Sequence, residues 1–227
     1  MGSETIPYVH SRPVTRPDTL VELTDVTVSA GPTTLLRGVD FSVEPGEAVG
    51  IFGANGAGKT TLLRLVATLL RPASGDGMVL GAPLGSSDVI DVRPAIGYVG
   101  HIPGLVPELT LIENLVMHAT LQRRDATEAR DALEAVGLGG AADRRAERCS
   151  HGMQRRTEFA RILMSTPELL LLDEPHSALD QDAVDLVDAL VERTVASGGA
   201  AVLVSHDRAS VKAVASRTAE IVDGRLQ

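Results

Sequence analysis

Aromatic residues make up only 2% of this 227-residue chain: two Tyr, three Phe and no Trp. Ring stacking is therefore scarce, both for packing and for gripping a planar ligand. A single cysteine, Cys149, excludes an internal disulfide and any zinc site built on cysteine pairs, and fits a reducing compartment. The 21 Lys and Arg are outnumbered by 30 Asp and Glu, giving a formal net charge of -9. That balance speaks against a general grip on nucleic acid, which needs basic surface to displace counterions. No apolar run is long enough to span a bilayer, and no signal-peptide core opens the chain. Work at a membrane would have to go through a partner embedded there. Lysine is scarcer still, with only Lys59 and Lys212.

One of those two lysines closes the most informative stretch. Gly53, Ala54, Asn55, Gly56, Ala57, Gly58, Lys59 and Thr60 match the phosphate-binding loop pattern in full. Val49 to Phe52 before it reads as a buried strand. Thr61 to Leu70 after it reads as a helix, stopped by Arg71 and Pro72. The glycines let backbone N–H groups turn inward around phosphate oxygens, and the helix start at Thr61 adds unpaired donors and the positive end of its dipole. In this pattern Lys59 bridges the terminal phosphates of ATP and Thr60 ligates Mg2+. Farther along, Leu169 to Leu172 run directly into Asp173, Glu174 and Pro175. Two carboxylates then stand at the carboxyl end of a buried strand, where open α/β sheets border their ligand crevice. Asp173 is suited to hold Mg2+, and Glu174 to polarise the water attacking a γ-phosphate.

The remainder supports an α/β fold. Residues Met1 to Asp18 carry Pro7, Pro13 and Pro17 among polar residues and read as a flexible tail. From Thr19 to Val43, short strand-like runs alternate around Gly31, Pro32 and Gly38. Ala73 to Ser87 is turn-rich, and Ile96 to Val99 is another short strand. Thr110 and Glu113 form a capping-box pattern opening a helix through about Arg124, and Asp125 with Glu128 opens a second that ends near Gly137. Ala200 to Val204 repeats the continuous apolar character of a covered parallel strand, and Asp223 and Gly224 turn a hairpin at the end.

Cys149, Ser150, His151, Gly152, Met153 and Gln154, followed by Arg155, Arg156, Ala160 and Arg161, resemble the signature motif of ATP-binding cassette ATPases. The serine and the second glycine are kept, and Cys149 stands where the family usually has Leu, as a small core-facing residue. Ser177 to Asp180 resembles the D-loop, and Val204, Ser205 and His206 resemble the segment carrying the switch histidine. The resemblance covers nearly everything from Leu20 onward. It implies a P-loop NTPase core with a mainly parallel sheet, an N-terminal antiparallel β subdomain and an inserted α-helical subdomain. In residue numbers, a tail over 1–18 precedes an ATPase domain over 19–227, with its core at about 19–100 and 166–227 and its helical part at about 101–165. It also implies an ATP- and Mg2+-dependent hydrolase that works as a pair of chains. Ser150 and the Gly152 amide of one would meet the γ-phosphate held by the other, Asp180 would tie the two nucleotide sites together, and His206 would contact the γ-phosphate. Integral membrane transporter subunits are the implied partners, at the cytoplasmic face of the cell membrane. Relatives in DNA repair, translation or metal-cluster assembly usually bring insertions or basic surfaces not seen here.

Two features depart from the general family pattern. The strand ending at Tyr98 and Val99 is followed by Gly100 and His101, where most members place a glutamine that senses Mg2+ and touches the membrane partner. Ala30 and Gly31 stand near the place where many members stack adenine on an aromatic ring, which implies loose nucleotide selectivity. The first departure has its own parallel. Gly100, His101, Pro103, Gly104 and Leu105, then Leu109, Thr110, Glu113, Asn114 and Leu115, resemble a run found in the haem-exporter ATP-binding subunits of cytochrome c biogenesis, where the histidine is normal. Haem is the cargo this implies. Service to another exporter or importer of drugs, lipids or other small molecules stays open at this point.

Overall fold

The computed structural model describes residues 18–176, 181–206 and 208–227. The tail expected before Asp18 and the D-loop residues Ser177 to Asp180 lie outside them. β1 (Val21–Ala30) and β2 (Thr33–Val43) pair as an antiparallel hairpin from Val21 opposite Val43 to Ala30 opposite Thr33. Gly38 does not break β2. It adopts a φ of 52° and faces Asp25 across a register shift, so it marks a bulge within one continuous strand. The strand order β2-β1-β4-β5 adds β4 (Ser74–Val79) and β5 (Ala82–Pro83) beyond β1. These strands correct the turn-rich reading of Ala73 to Ser87. Their glycines serve close approach: a Cβ at Gly75 would lie 2.2 Å from the Asp25 carbonyl oxygen. Glycine here lets two backbones meet, and the composition of a loop conceals a strand.

A second sheet has the order β10-β9-β3-β8-β7-β6, built from β3 (Ala48–Phe52), β6 (Ile96–Val99), β7 (Leu169–Asp173), β8 (Ala200–Val204), β9 (Arg217–Val222) and β10 (Arg225–Leu226). Every neighbouring pair is parallel except the β9–β10 hairpin, which turns at Asp223 and Gly224 as the sequence predicts. Helices α1 (Lys59–Val66), α2 (Val89–Val92), α3 (Leu111–Leu121), α4 (Ala129–Ala135), α5 (His151–Ser165), α6 (Gln181–Ala196) and α7 (Arg208–Val214) complete the chain. An α/β fold with a mainly parallel sheet and an antiparallel β layer is thus present as expected.

Helix ends are where the sequence reading misses. α1 stops at Val66 instead of continuing to Leu70. Thr68 turns left-handed at φ 59°, and Arg93 holds it there, donating from Nε to Thr68 Oγ1 at 3.0 Å and from Nη2 to its carbonyl at 2.9 Å. The last turn is closed by backbone bonds from Thr68 N–H to the Leu65 carbonyl and from Leu69 N–H to the Arg64 carbonyl, four residues before Pro72, and Arg93 braces that turn from elsewhere in the chain. α3 opens on the expected box, with Thr110 Oγ1 accepting from Glu113 N–H and Glu113 Oε2 accepting from Thr110 N–H. α4 opens later than expected because Asp125 accepts from Thr127 N–H at 2.9 Å, a local turn that competes with a helix cap.

β7 joins two cores. Leu169 and Leu171 pack with Leu62, Leu65 and Val66 of α1 and with the antiparallel sheet. Leu170 and Leu172 pack on the opposite face with Leu115, Phe159, Val187 and Leu190 from the helices. All four leucines are fully buried, which is why the strand reads as one apolar run. Because β3, β8, β7 and β6 run parallel, the loops leaving their carboxyl ends gather along one edge. Those loops are the phosphate loop, Ser205 with His206, Glu174, and Gly100 with His101.

Truncating Leu171→Ala leaves a cavity under α1 and should cost about 3 kcal/mol. Urea unfolding monitored by circular dichroism checks this, and a loss below ~1 kcal/mol would show that the two faces of β7 are not both close-packed.

Candidate functional site

The phosphate loop leaves β3 on conformations that only glycine adopts easily. Gly58 has φ 116°, and a Cβ there would fall 2.8 Å from Leu36 Cδ2 and 3.0 Å from the Leu35 carbonyl oxygen. Gly53 is hemmed in likewise, its absent Cβ lying 2.5 Å from the Ile221 carbonyl oxygen. The chain then enters α1. The Leu62 N–H is bound to the Gly58 carbonyl, whereas the N–H groups of Lys59, Thr60 and Thr61 precede the helical ladder and remain donors for an anion. Lys59 is buried, and its Nζ donates to the Gly53 carbonyl at 2.7 Å and to the Ala54 carbonyl at 3.1 Å. The ammonium is thereby kept folded over the loop that phosphate would fill.

A cleft of about 760 Å3 brings the predicted residues together: Gly53, Ala54, Asn55, Gly56, Gly58, Lys59, Thr60 and Thr61 of the loop face His101, Asp173, Glu174 and His206. Its neighbour, a cleft of about 890 Å3, shares Ala54, Asn55, Gly56 and Leu35 and continues past Ala57, Thr33, Thr34 and Arg37. Among the described residues no aromatic side chain lines the second cleft. Ser150 and Gly152 line neither cleft. They sit at the start of α5, where Ser150 Oγ accepts from Met153 N–H at 3.3 Å. Asp180 lies outside the described residues. Cys149 packs half-buried against the helical core, and burial pushes its thiol pKa up, as befits an inert core-facing residue.

Thr60 Oγ1 donates to Asp173 Oδ2 at 2.9 Å. The pair fits Mg2+, a hard cation that takes one or two protein oxygens and completes its shell with phosphate and water. Among the described residues there is no cluster of three or more His, Cys, Asp and Glu that could hold a metal ion. Burial raises the pKa of Asp173, the Thr60 hydrogen bond opposes that, the neighbouring Glu174 charge adds to it, and His101 and Arg155 work against it.

Glu174 follows in a left-handed backbone conformation, φ 49°, a strain of about 1–2 kcal/mol for a residue with a Cβ. Its Oε2 accepts from Ser205 Oγ at 3.0 Å and His206 N–H at 3.3 Å, and lies 2.9 Å from His206 Nδ1. The two expected catalytic residues are therefore already in contact. Ser205 had been passed over by the sequence reading. Its signal was present, as a hydroxyl at the exit of the all-apolar β8.

The family model described as ABC transporter matches residues 36–177. Among curated relatives, the chain is 40% identical over 184 residues to the cytochrome c biogenesis ATP-binding export protein CcmA of Methylococcus capsulatus, covering 80% of this chain and 88% of the relative. It is also 40% identical over 211 residues to the Fe(3+) ions import ATP-binding protein FbpC 2 of Rhodococcus jostii, covering 91% of this chain and 60% of the relative. Among solved structures, a dimeric ATP-binding cassette in a post-hydrolysis state with ADP and Pi superposes with a TM-score of 0.83 at 26% identity. That match covers 91% of this chain and 96% of the other.

Removing the imidazole by His101→Gln takes away one influence that lowers the Asp173 pKa, so the carboxyl of the unliganded protein should release its proton at higher pH than in the parent. Carbon NMR titration of Asp173 reads this directly. Superimposable titrations would place His101 outside the field of the site.

Proposed function

The chain belongs to the ABC transporter family, and on that premise we propose that it drives haem export for cytochrome c biogenesis as the ATP-hydrolysing subunit of a membrane transporter. The observation that carries the ATPase chemistry is the convergence of the phosphate loop, Asp173, Glu174 and His206 on one cleft. The haem assignment is supported by the run from Tyr98 to Leu115 and by the similarity to cytochrome c biogenesis proteins. A second reading, service to another transporter, is favoured by the equal identity to an Fe(3+) import protein. Isolating the chain with its partners from native membranes in mild detergent, and recording the absorption spectrum, separates the two. Haem-handling membrane proteins support the first, and an unrelated permease overturns the cargo while leaving the ATPase intact.

In the proposed cycle the triphosphate of ATP displaces Lys59 from the Gly53 and Ala54 carbonyls and takes the N–H groups of the loop and of α1. Thr60 and Asp173 would hold Mg2+, which supplies charge neutralisation at the phosphates. A γ-phosphate competing for His206 frees Glu174 Oε2 to accept a proton from the attacking water. The base and ribose reach the neighbouring cleft without a ring to stack on, so selection among nucleotides is loose.

Ser150 and Gly152 act on a second copy of the chain. Gly152 has open space at its Cβ position and no positive φ, so its own fold does not require glycine there. Close approach of another molecule's phosphate does. Residues 101–165 form the helical arm carrying this surface, and the core comprises 19–100 and 166–227. The membrane subunit would cover the hollow of about 350 Å3 beside His101, whose rim includes Leu69, 52% exposed, and Ile102, 80% exposed. No helix among the described residues is long and apolar enough to cross a membrane, and the reading places the chain as a peripheral subunit at the cytoplasmic face of the cell membrane.

Glu174→Gln should bind ATP, turn it over ~10^2 to 10^4-fold more slowly and accumulate as an ATP-bound dimer on size exclusion. Hydrolysis at the parent rate would dismiss Glu174 as the base. Gly152→Ala should fold at least as stably, gaining about 0.5–1 kcal/mol of helix propensity, yet lose turnover at saturating ATP. Unchanged turnover would argue that nothing approaches Gly152.

A further inference from the structure

α5 carries three charged side chains, Arg155, Glu158 and Arg161, on one inward face. Charged residues at this spacing usually form a solvated stripe. Here Arg155 is 2% and Glu158 3% exposed. Arg155 Nη2 donates to the Asp173 carbonyl at 2.7 Å and to the Glu174 carbonyl at 3.3 Å, while Nη1 donates to the Gly100 carbonyl. One guanidinium thus holds the carbonyls of both carboxylate residues and of the residue before His101. Glu158 Oε1 accepts from Gly104 N–H at 3.0 Å, and Arg161 Nη2 donates to the Tyr98 carbonyl at 2.7 Å. The segment bearing His101 is pinned to α5 before and after that residue.

Glu158 offsets part of the positive charge of the two arginines, lying 3.8 Å from Arg155 Nη1 and 3.9 Å from Arg161 Nη2, and Asp173 acts on Arg155 in the same sense. Glu158 Oε2 has no hydrogen-bond partner among the described residues. A buried, ionic arrangement of this kind is costly to assemble and is weak evidence for stability by itself. What it provides is rigidity between α5, whose first turn holds Ser150 and Gly152, and the strained Glu174 backbone. Conformations such as Glu174 at φ 49° persist only when neighbouring bonds over-determine them.

We propose that Arg155 is a positioning residue for ATP hydrolysis, transmitting the placement of the α5 N-terminus to the Asp173–Glu174 backbone and to the His101 segment, with Glu158 as the charge that keeps it in place. The inference rests on the ATPase reading above, and it adds a residue that lines neither of the two clefts. Lysine keeps the charge but offers one compact ammonium, which cannot span carbonyls on two loops as the planar fork does.

The test compares the full wild-type chain with Arg155→Lys for ATP affinity by calorimetry, for steady-state turnover and for melting temperature. Affinity should stay within about threefold of the parent while kcat falls about tenfold or more, because a small misplacement of a catalytic group acts on the reacting state alone. Parental kcat would overturn the proposal, as would a matched loss of affinity, kcat and melting temperature, which marks a purely structural role. Should Arg155→Lys not fold, Glu158→Gln decides. It can retain the acceptor for Gly104 N–H but withdraws the counter-charge, and is expected to lower kcat about threefold or more at unchanged affinity, with parental kcat again overturning the proposal. A wild-type chain without turnover would instead sink the ATPase reading, a result distinct from any difference between variants.

Discussion

The site depends first on the parallel pairing of β7 with its neighbours. Asp173 stands opposite Val204 in β8, and Leu172 opposite Val99 in β6, so three strands end at one level. Leucines on both faces of β7 fix that level, because a one-residue slip would exchange the side chains of two separate cores. Asp173 is still inside the strand, and Glu174 is the first residue to leave it, in a conformation stabilised by its N–H bond to the Val204 carbonyl at 2.9 Å.

From that edge the chemistry is assembled by short contacts between distant parts of the sequence. Thr60 reaches Asp173, and Ser205 with His206 reaches Glu174. The polar groups of the site are paired with one another: Lys59 with its own loop, Thr60 with the buried carboxylate, His206 with the prospective base. Such pairing limits the cost of burying them, since an unpaired polar group in this setting costs about 1–3 kcal/mol. Binding then exchanges partners without exposing unsatisfied groups, which suits a site that must fill and empty repeatedly.

The parts legible in the sequence were those whose physics is local or continuous. The phosphate loop announces itself because glycine conformations and a helix start are encoded within a few residues, and β7 and β8 because a strand covered on both faces must be apolar throughout. β4 is hidden because Gly75 answers to a neighbouring backbone and Gly77 to the side chains of Leu23 and Leu84, which composition does not reveal. The early end of α1 comes with a left-handed Thr68 that Arg93 braces from elsewhere in the chain. Arg155 and Glu158 look like surface charges until folding places them under the site. Ser150, Gly152, His101 and His206 took their meaning from an ordered resemblance.

The central claim is that two copies of this chain together make the catalytic unit. Turnover per chain at saturating ATP, measured across a dilution of about a hundredfold with light scattering at each step, tests it most directly. The account predicts that turnover follows the dimeric fraction and vanishes with it. A monomer that hydrolyses ATP as fast as the dimer would contradict it.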